Sequence, residues 1–372
     1  MKKIRKIDSV EMYIIRIPLV STFETSFSVQ THREALLLKI VCDDVCGWGE
    51  CVTSPDPYYC YETNSTASHI IKDFLIHILA AMNNFTIEEV LQNFEQIRGH
   101  HMAKAVVENA LLDIMAQTYG IPLFELIGGT FKKVMSGISI GIQKSIDDLL
   151  ESIQKACDKK YHRIKLKIKK GKDIEILKKV RSAFPNIKLM ADANSDYTLE
   201  DKHTLKRLDE FNLMMIEQPL NYNDIYFHAL LQKQLRTPIC LDESIKNLND
   251  TKTAAELGSC KIINIKQGRV GGMIKAKEIQ AYCLKNAIKT WSGGMLETGI
   301  GRAFNLHLQT LPGFVLPGDT SETSRYFIED IVDKPVILQS DGSIEVPKGA
   351  GIGVNVLPER IERFKVFHQI II

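Results

Sequence analysis

Five charged residues carry the chemical signal of this sequence: Lys167, Asp192, Glu217, Asp242 and Lys266. Consecutive members lie 25, 25, 25 and 24 residues apart, and each closes a short apolar run. One strand-plus-helix unit of a (β/α)₈ barrel of ~200–250 residues has about that length. The spacing therefore predicts one charged residue at the C-terminal end of each of five successive strands, the face where barrel enzymes place their sites. Side chains two apart on a strand point the same way, so Lys165 joins Lys167 and Asn194 joins Asp192. Three carboxylates aimed at one pocket repel, and burying each costs roughly several kcal/mol unless it is compensated. A divalent cation removes that cost, and three oxygen ligands with open positions suit Mg²⁺, with Mn²⁺ as a substitute. Asp192, Glu217 and Asp242 are the expected ligands. Lys167 and Lys266 arrive from the two sides of the carboxylate arc, so a substrate carboxylate on the metal would have its α-carbon between them.

That α-proton is very weakly acidic, and the charge that develops on its removal needs electrostatic stabilisation. A lysine, ordinarily near pKa ~10.4, works best as a base near ~7–8. Like-charge repulsion from Lys165, and from Arg269 three residues after Lys266, is expected to lower a lysine pKa. Asn194 and Glu243 are expected to orient a lysine or a ligand from behind, in company with Arg269. Phe23, Thr53, Ser54, Trp291, Gly293, Met295 and Asp319 are candidate substrate contacts by position alone.

The elements that must hold these groups are legible as pattern. Eight apolar runs begin at Val134, Arg163, Lys188, Leu213, Pro238, Ile262, Ile288 and Phe314, each followed by a polar helical stretch. Strands alternating with helices imply parallel βα units, and eight of them in about 200 residues imply a closed TIM barrel. The fold class is α/β, with a (β/α)₈-type barrel and an accessory α+β domain. Residues 1–128 are expected to form that first domain, 129–335 the barrel, and 336–372 a segment packing back on the first domain. Within the first domain, residues 10–19 and 34–41 read as strands, separated by a polar loop at 21–33 that contains Phe23 and Phe27. A second loop spans 53–63. Met102, Val106, Ala110 and Ile114 recur at helical spacing, and Gly120 and Pro122 end that helix. Gly128-Gly129 reads as a hinge. No helix clearly follows the run Gly349-x-Gly351-x-Gly353 and no βαβ unit surrounds it, so it reads as a turn rather than a nucleotide loop.

Composition excludes several classes of function. The 372 residues carry 47 Lys+Arg against 45 Asp+Glu, a net charge of +2, which gives no footprint for nucleic acid or an acidic membrane. Asp8, Glu11 and Arg16 interrupt the apolar stretch after the basic start, so no secretory signal is expected. No apolar run reaches about eighteen residues, so no membrane span is expected either. The eight cysteines form no C-x-x-C pair and read as free thiols of a reducing compartment, hence a cytoplasmic protein.

Taken together, Lys165-x-Lys167, Asp192-x-Asn194, Glu217-Gln-Pro, Asp242-Glu-Ser and Lys266 resemble the muconate-lactonizing-enzyme-like branch of the enolase superfamily. Met102-Ala-Lys-Ala, Gly141-Ile-Gln, Lys266-Gln-Gly-Arg-Val-Gly-Gly, Gly293-Gly-Met-Leu-Glu-Thr-Gly-Ile-Gly-Arg-Ala and Leu316-Pro-Gly-Asp-Thr-Ser narrow the resemblance. They point to the subgroup of o-succinylbenzoate synthases and N-acylamino acid racemases. The resemblance implies that residues 1–128, with the 336–372 segment, form an α+β capping domain over the barrel, and that the 21–33 and 53–63 loops close over a small-molecule carboxylate substrate. It implies a hydro-lyase of menaquinone biosynthesis. Lys167 would be the general base for syn dehydration of 2-succinyl-6-hydroxy-2,4-cyclohexadiene-1-carboxylate, and Lys266 the cation opposite. Racemisation of N-acylamino acids, in which the lysines exchange roles, is the alternative. Self-association into a homo-oligomer is also implied. Two departures matter. The Asp-x-Asp anchor of dipeptide epimerases is replaced by Asp319-Thr320-Ser321, and no strand-end histidine of the mandelate-racemase type occurs. Both favour a two-lysine enzyme acting on an acylated or non-amino substrate.

Overall fold

The computed structural model describes residues 3–24, 28–130 and 132–372; Phe27 lies outside the described residues. The strands run in chain order as β1 (Ser9–Glu24), β2 (Val29–Cys42), β3 (Val45–Cys51), β4 (Lys133–Met135), β5 (Gly137–Ile140), β6 (Arg163–Lys167) and β7 (Leu189–Asp192). They continue as β8 (Ile216–Glu217), β9 (Ile239–Leu241), β10 (Ile262–Ile265), β11 (Lys289–Ser292), β12 (Ser343–Glu345) and β13 (Lys365–Ile370).

The cap is an antiparallel sheet ordered β13–β1–β2–β3, backed by helices. Its first two strands extend well beyond the apolar runs. Phe23 pairs with Gln30 and Glu24 with Val29, so much of the expected 21–33 loop is a hairpin arm. The helix His101–Tyr119 lies on β3, where Gly47 and Gly49 allow close approach: a Cβ on either would stand 2.2 Å from a helix carbonyl. Every residue of that helix from Met102 to Ala116 is buried, because the sheet covers one side and the barrel the other. The helix stops at Gly120, whose φ of 68° is the left-handed conformation glycine tolerates. The tail strand β13 adds to the free edge of β1, with Glu11 opposite Ile370.

Seven parallel strands, β5 to β11, follow in sequence order around one sheet. The eighth apolar run closes the ring through single bridges, Thr290 with Phe314 and Ser136 with Gly318. The Leu316 amide donates to the Thr290 carbonyl at 3.3 Å, and the Gly137 amide to the Gly318 carbonyl at 2.7 Å. Glycines and prolines around this segment limit its ladder, and only a short 3₁₀ turn, Thr323–Arg325, follows it. The eighth unit thus supplies a strand position without the long helix that the regular repeat predicts. Gly128-Gly129 is not a loose hinge: Gly128 caps a helix at φ 82°, and a Cβ on Gly129 would stand 1.7 Å from the Thr310 hydroxyl. All eight cysteines are free thiols. Among the described residues no helix is long and apolar enough to cross a membrane.

Candidate functional site

The cap and the barrel mouth line a solvent-open cleft, to which β6, the end of β7 and the residue after β10 contribute. Phe23, Arg33, Ser54 and Tyr59 from the cap face Lys165, Lys167, Asn194, Lys266 and Asp319 from the barrel. In the sheet, Lys167 stands opposite Asp192, and Asp192 opposite Glu217. The regular spacing in sequence therefore becomes adjacency in space. Lys167 closes β6 and Lys266 follows β10, four strand positions apart in a ring of eight. They occupy opposite sides of the mouth, with the three carboxylates on the arc between.

Every ammonium is engaged. Lys167 Nζ lies 2.7 Å from Asp192 Oδ2 and 2.5 Å from Asn194 Oδ1. Asn194 in turn donates to Glu243 Oε1 at 3.0 Å. Lys165 Nζ bridges Asp319 (2.7 Å), Glu217 (3.2 Å) and Asp192 (3.4 Å). Lys266 Nζ lies 2.8 Å from Asp242 Oδ2 and 3.0 Å from the Tyr59 hydroxyl. Arg269 pairs with the other Asp242 oxygen and anchors on the carbonyls of Ile245 (3.0 Å) and Asn264 (2.8 Å). Asn194, Ser195, Gln218 and Leu296 have φ between 36° and 66°. Non-glycine residues held there store strain, which clusters at functional sites.

Charge in this small volume explains the titration behaviour. Burial first, then Asp192, pushes the Glu217 carboxyl up to about 8. Burial and the neighbouring Asp242 push Glu243 up to about 7. Asp242 goes the other way: burial opposes it, but Arg269 and Lys266 outweigh that and hold it low. The expected lowering of lysine pKa by like charge is not what this arrangement gives. Burial does work against the Lys165 and Lys266 ammoniums. The carboxylates around each outweigh it, led by Asp319 for Lys165 and Asp242 for Lys266, and both pKa values are raised. Like-charge repulsion is present, from Arg163 on Lys165 and from Arg269 on Lys266, but it is weaker than the pull of these carboxylates.

Among the described residues no three His, Cys, Asp or Glu side chains are set as a ready metal cage. Ammoniums stand between the carboxylates instead. The donor set nonetheless fits a hard divalent cation: Asp192, Glu217 and Asp242 are all buried, Asp242 disfavours the charged form of Asp192, and both aspartates disfavour that of Glu217.

Residues 9–128 match the model of the mandelate racemase / muconate lactonizing enzyme N-terminal domain, and residues 148–360 match that of the enolase C-terminal domain-like family. The chain belongs to the enolase superfamily. A Geobacillus kaustophilus protein named o-succinylbenzoate synthase is 46% identical over 369 residues, covering 97% of this chain and 98% of its own. A Thermus thermophilus protein named N-succinylamino acid racemase is 44% identical over 367 residues, covering 98% of each chain. A crystal structure of an enolase superfamily member from Listeria innocua superposes with a TM-score of 0.94 at 40% identity, over 98% of this chain and 99% of that one. The chain is an enzyme of this superfamily.

Some positional guesses find a different place in this enolase-superfamily barrel. Trp291 is fully buried in the barrel interior beside Met190, Met215 and Cys240, with the Arg163 guanidinium 4.5 Å from its ring centre. It supports the floor and does not line the cleft. Thr53 is buried one step behind the cleft, its hydroxyl 2.7 Å from Asn64 Oδ1. Gly293 makes room for Asn264, whose side chain would stand 2.3 Å from an added Cβ. Phe23, Ser54, Met295 and Asp319 do line the cleft, although Asp319 is already held by Arg163, Lys165 and the Ser139 hydroxyl.

Other contributors escaped the sequence reading. Asn264 donates to Glu217 Oε1 at 2.7 Å, and its position two before Lys266 was the available signal. Arg163 shares the two-residue alternation of Lys165 and Lys167. Tyr59, Arg33 and Arg302 reach the cleft from irregular segments or from another element, and spacing carries no signal for them.

Proposed function

We propose that the chain is an o-succinylbenzoate synthase. The observation that carries this reading is the placement of Lys167 and Lys266 across the barrel mouth with three buried carboxylates between them. Asp192, Glu217 and Asp242 would hold Mg²⁺, which when bound compensates their repulsion and steadies a substrate carboxylate as negative charge develops on it. Lys167, as the free amine, takes the α-proton of 2-succinyl-6-hydroxy-2,4-cyclohexadiene-1-carboxylate. Asn194 and Asp192 fix its Nζ, and Glu243 holds Asn194. The enediolate expels hydroxide from the same face. The Lys167 ammonium returns the proton, so water leaves and 2-succinylbenzoate forms. Lys266 stays an ammonium on the opposite face and offsets the enediolate charge, which suits the high pKa given it by Asp242 despite burial. Phe23, Ser54 and Met295 cover the substrate from the cleft wall.

Racemisation of N-succinylamino acids is the second reading, favoured by one observation: a lysine stands on each side of the same arc. In that reaction one lysine takes the α-proton and the other delivers a proton to the opposite face. Dehydration and α-proton exchange in D₂O, measured side by side on one Mg²⁺-loaded preparation, test both. Dehydration that Lys167→Ala abolishes supports the synthase. Exchange of both enantiomers adds the racemase. A protein that performs neither overturns both readings.

A further inference from the structure

The two lysines are held differently, and the difference lies in the cap. The partners given above for Lys167, Asp192 and Asn194, both belong to the end of β7 in the barrel. Lys266 has Asp242 from the barrel and Tyr59 from the cap. The Tyr59 oxygen lies 3.0 Å from Lys266 Nζ and 3.0 Å from Arg269 Nη1, so it accepts from two cations. Its ring centre is 4.9 Å from the same Nζ. The ammonium therefore lies at the oxygen end of the ring, and the contact is a charge-assisted hydrogen bond.

The segment that carries Tyr59 is itself fastened. Ser54 bridges to Thr63, and the Asn64 amide donates to the Ser54 carbonyl at 2.9 Å. The Glu62 carboxylate accepts from the Met102 and Ala103 amides at 3.1 and 3.2 Å, at the start of the long cap helix. Tyr59 thus reports the seating of the cap to one lysine only.

We propose that Tyr59 is a positioning residue for Lys266, coupling the seated cap to proton transfer on that face of the substrate alone. This rests on the second reading, racemisation, in which Lys167 and Lys266 are the two proton-handling groups. A packing role would instead affect both faces alike. Loss of one hydrogen bond to a charged group corresponds to roughly a tenfold effect or more.

The test is α-proton exchange of each enantiomer of N-succinylphenylalanine in D₂O, followed by proton NMR with the Mg²⁺-loaded full chain. Lys266→Ala is expected to abolish exchange of one enantiomer and Lys167→Ala that of the other. Tyr59→Phe is expected to slow the Lys266-dependent enantiomer about tenfold or more and leave the other within about twofold. Tyr59→Leu, which also removes the ring, is expected to show the same one-sided loss. Equal slowing of both enantiomers, or of neither, overturns the proposal. So does the same one-sided loss in Tyr61→Phe, which alters an exposed neighbour on the same segment. If the wild type exchanges neither enantiomer, or the lysine variants fail to divide them, the racemase reading falls first and this proposal with it.

Discussion

Removing the Glu50 carboxylate should loosen the cap from the barrel. Glu50 ends the buried face of β3 and reaches the first turn of the helix Gly299–Leu308, directly after the loop that lines the cleft. Its carboxylate accepts from the Thr298 amide (3.1 and 3.0 Å to its two oxygens), the Thr298 hydroxyl (2.7 Å) and the Gly301 amide (3.0 Å). A carboxylate there satisfies helix N-terminal donors and meets the positive end of the helix dipole. Glu50→Ala strands three donors, each costing ~1–3 kcal/mol if left unmatched, and opens a cavity besides. Water entering from the cleft recovers part of that, so a net loss of about 3–5 kcal/mol is expected. Glu50→Gln keeps the shape and one acceptor, and about 1–2 kcal/mol is expected. Equilibrium urea unfolding reads the loss, and hydrogen exchange localises it to the first turn after Thr298. A change under about 1 kcal/mol for Glu50→Ala, with the Thr298 and Gly301 amides still protected, would refute the reasoning.

Glu108 makes a second such fastening, from the long cap helix to the Ile274 amide at 2.8 Å. Burial pushes its pKa up to about 8 from an ordinary 4.5, so the native state binds the extra proton between those values. Stability should fall as pH rises through that window, and Glu108→Gln should lack this slope. The variant's stability relative to wild type should therefore rise between about pH 5 and pH 8.5 in urea unfolding; a pH-independent difference would exclude the effect. On the proposed assignment Mg²⁺ would bind only the folded carboxylate set, so saturating Mg²⁺ should raise the urea midpoint, and Glu217→Gln should abolish that rise. A midpoint indifferent to Mg²⁺ would count against the assigned ligands.

Much of this was legible in the residues. The spacing from Lys167 to Lys266 works because each βα unit advances one strand, and the charged residue sits where the strand ends. The barrel and the strand-end cluster followed from periodicity, and the helix stop at Gly120 from the helix-breaking Gly120 and Pro122. What periodicity cannot carry is contact between distant segments. Glu50 and Thr298 are 248 residues apart, and Tyr59 and Lys266 are 207 apart. Nothing local marks them as partners. Trp291 was misplaced for a related reason: alternation gives the inward side of a strand but not the depth, and depth separates the floor from the cleft. The lysine pKa expectation failed because sequence neighbours suggested like charge, whereas the nearest groups across the barrel are carboxylates.

The most direct test of the account is the dehydration rate of Lys167→Ala beside wild type, both loaded with Mg²⁺ and both shown to be folded by circular dichroism. Loss of the base should lower kcat by about 10²–10⁴-fold or more while the fold and Mg²⁺ affinity persist. Dehydration at the wild-type rate by a folded, Mg²⁺-loaded Lys167→Ala protein would contradict the account.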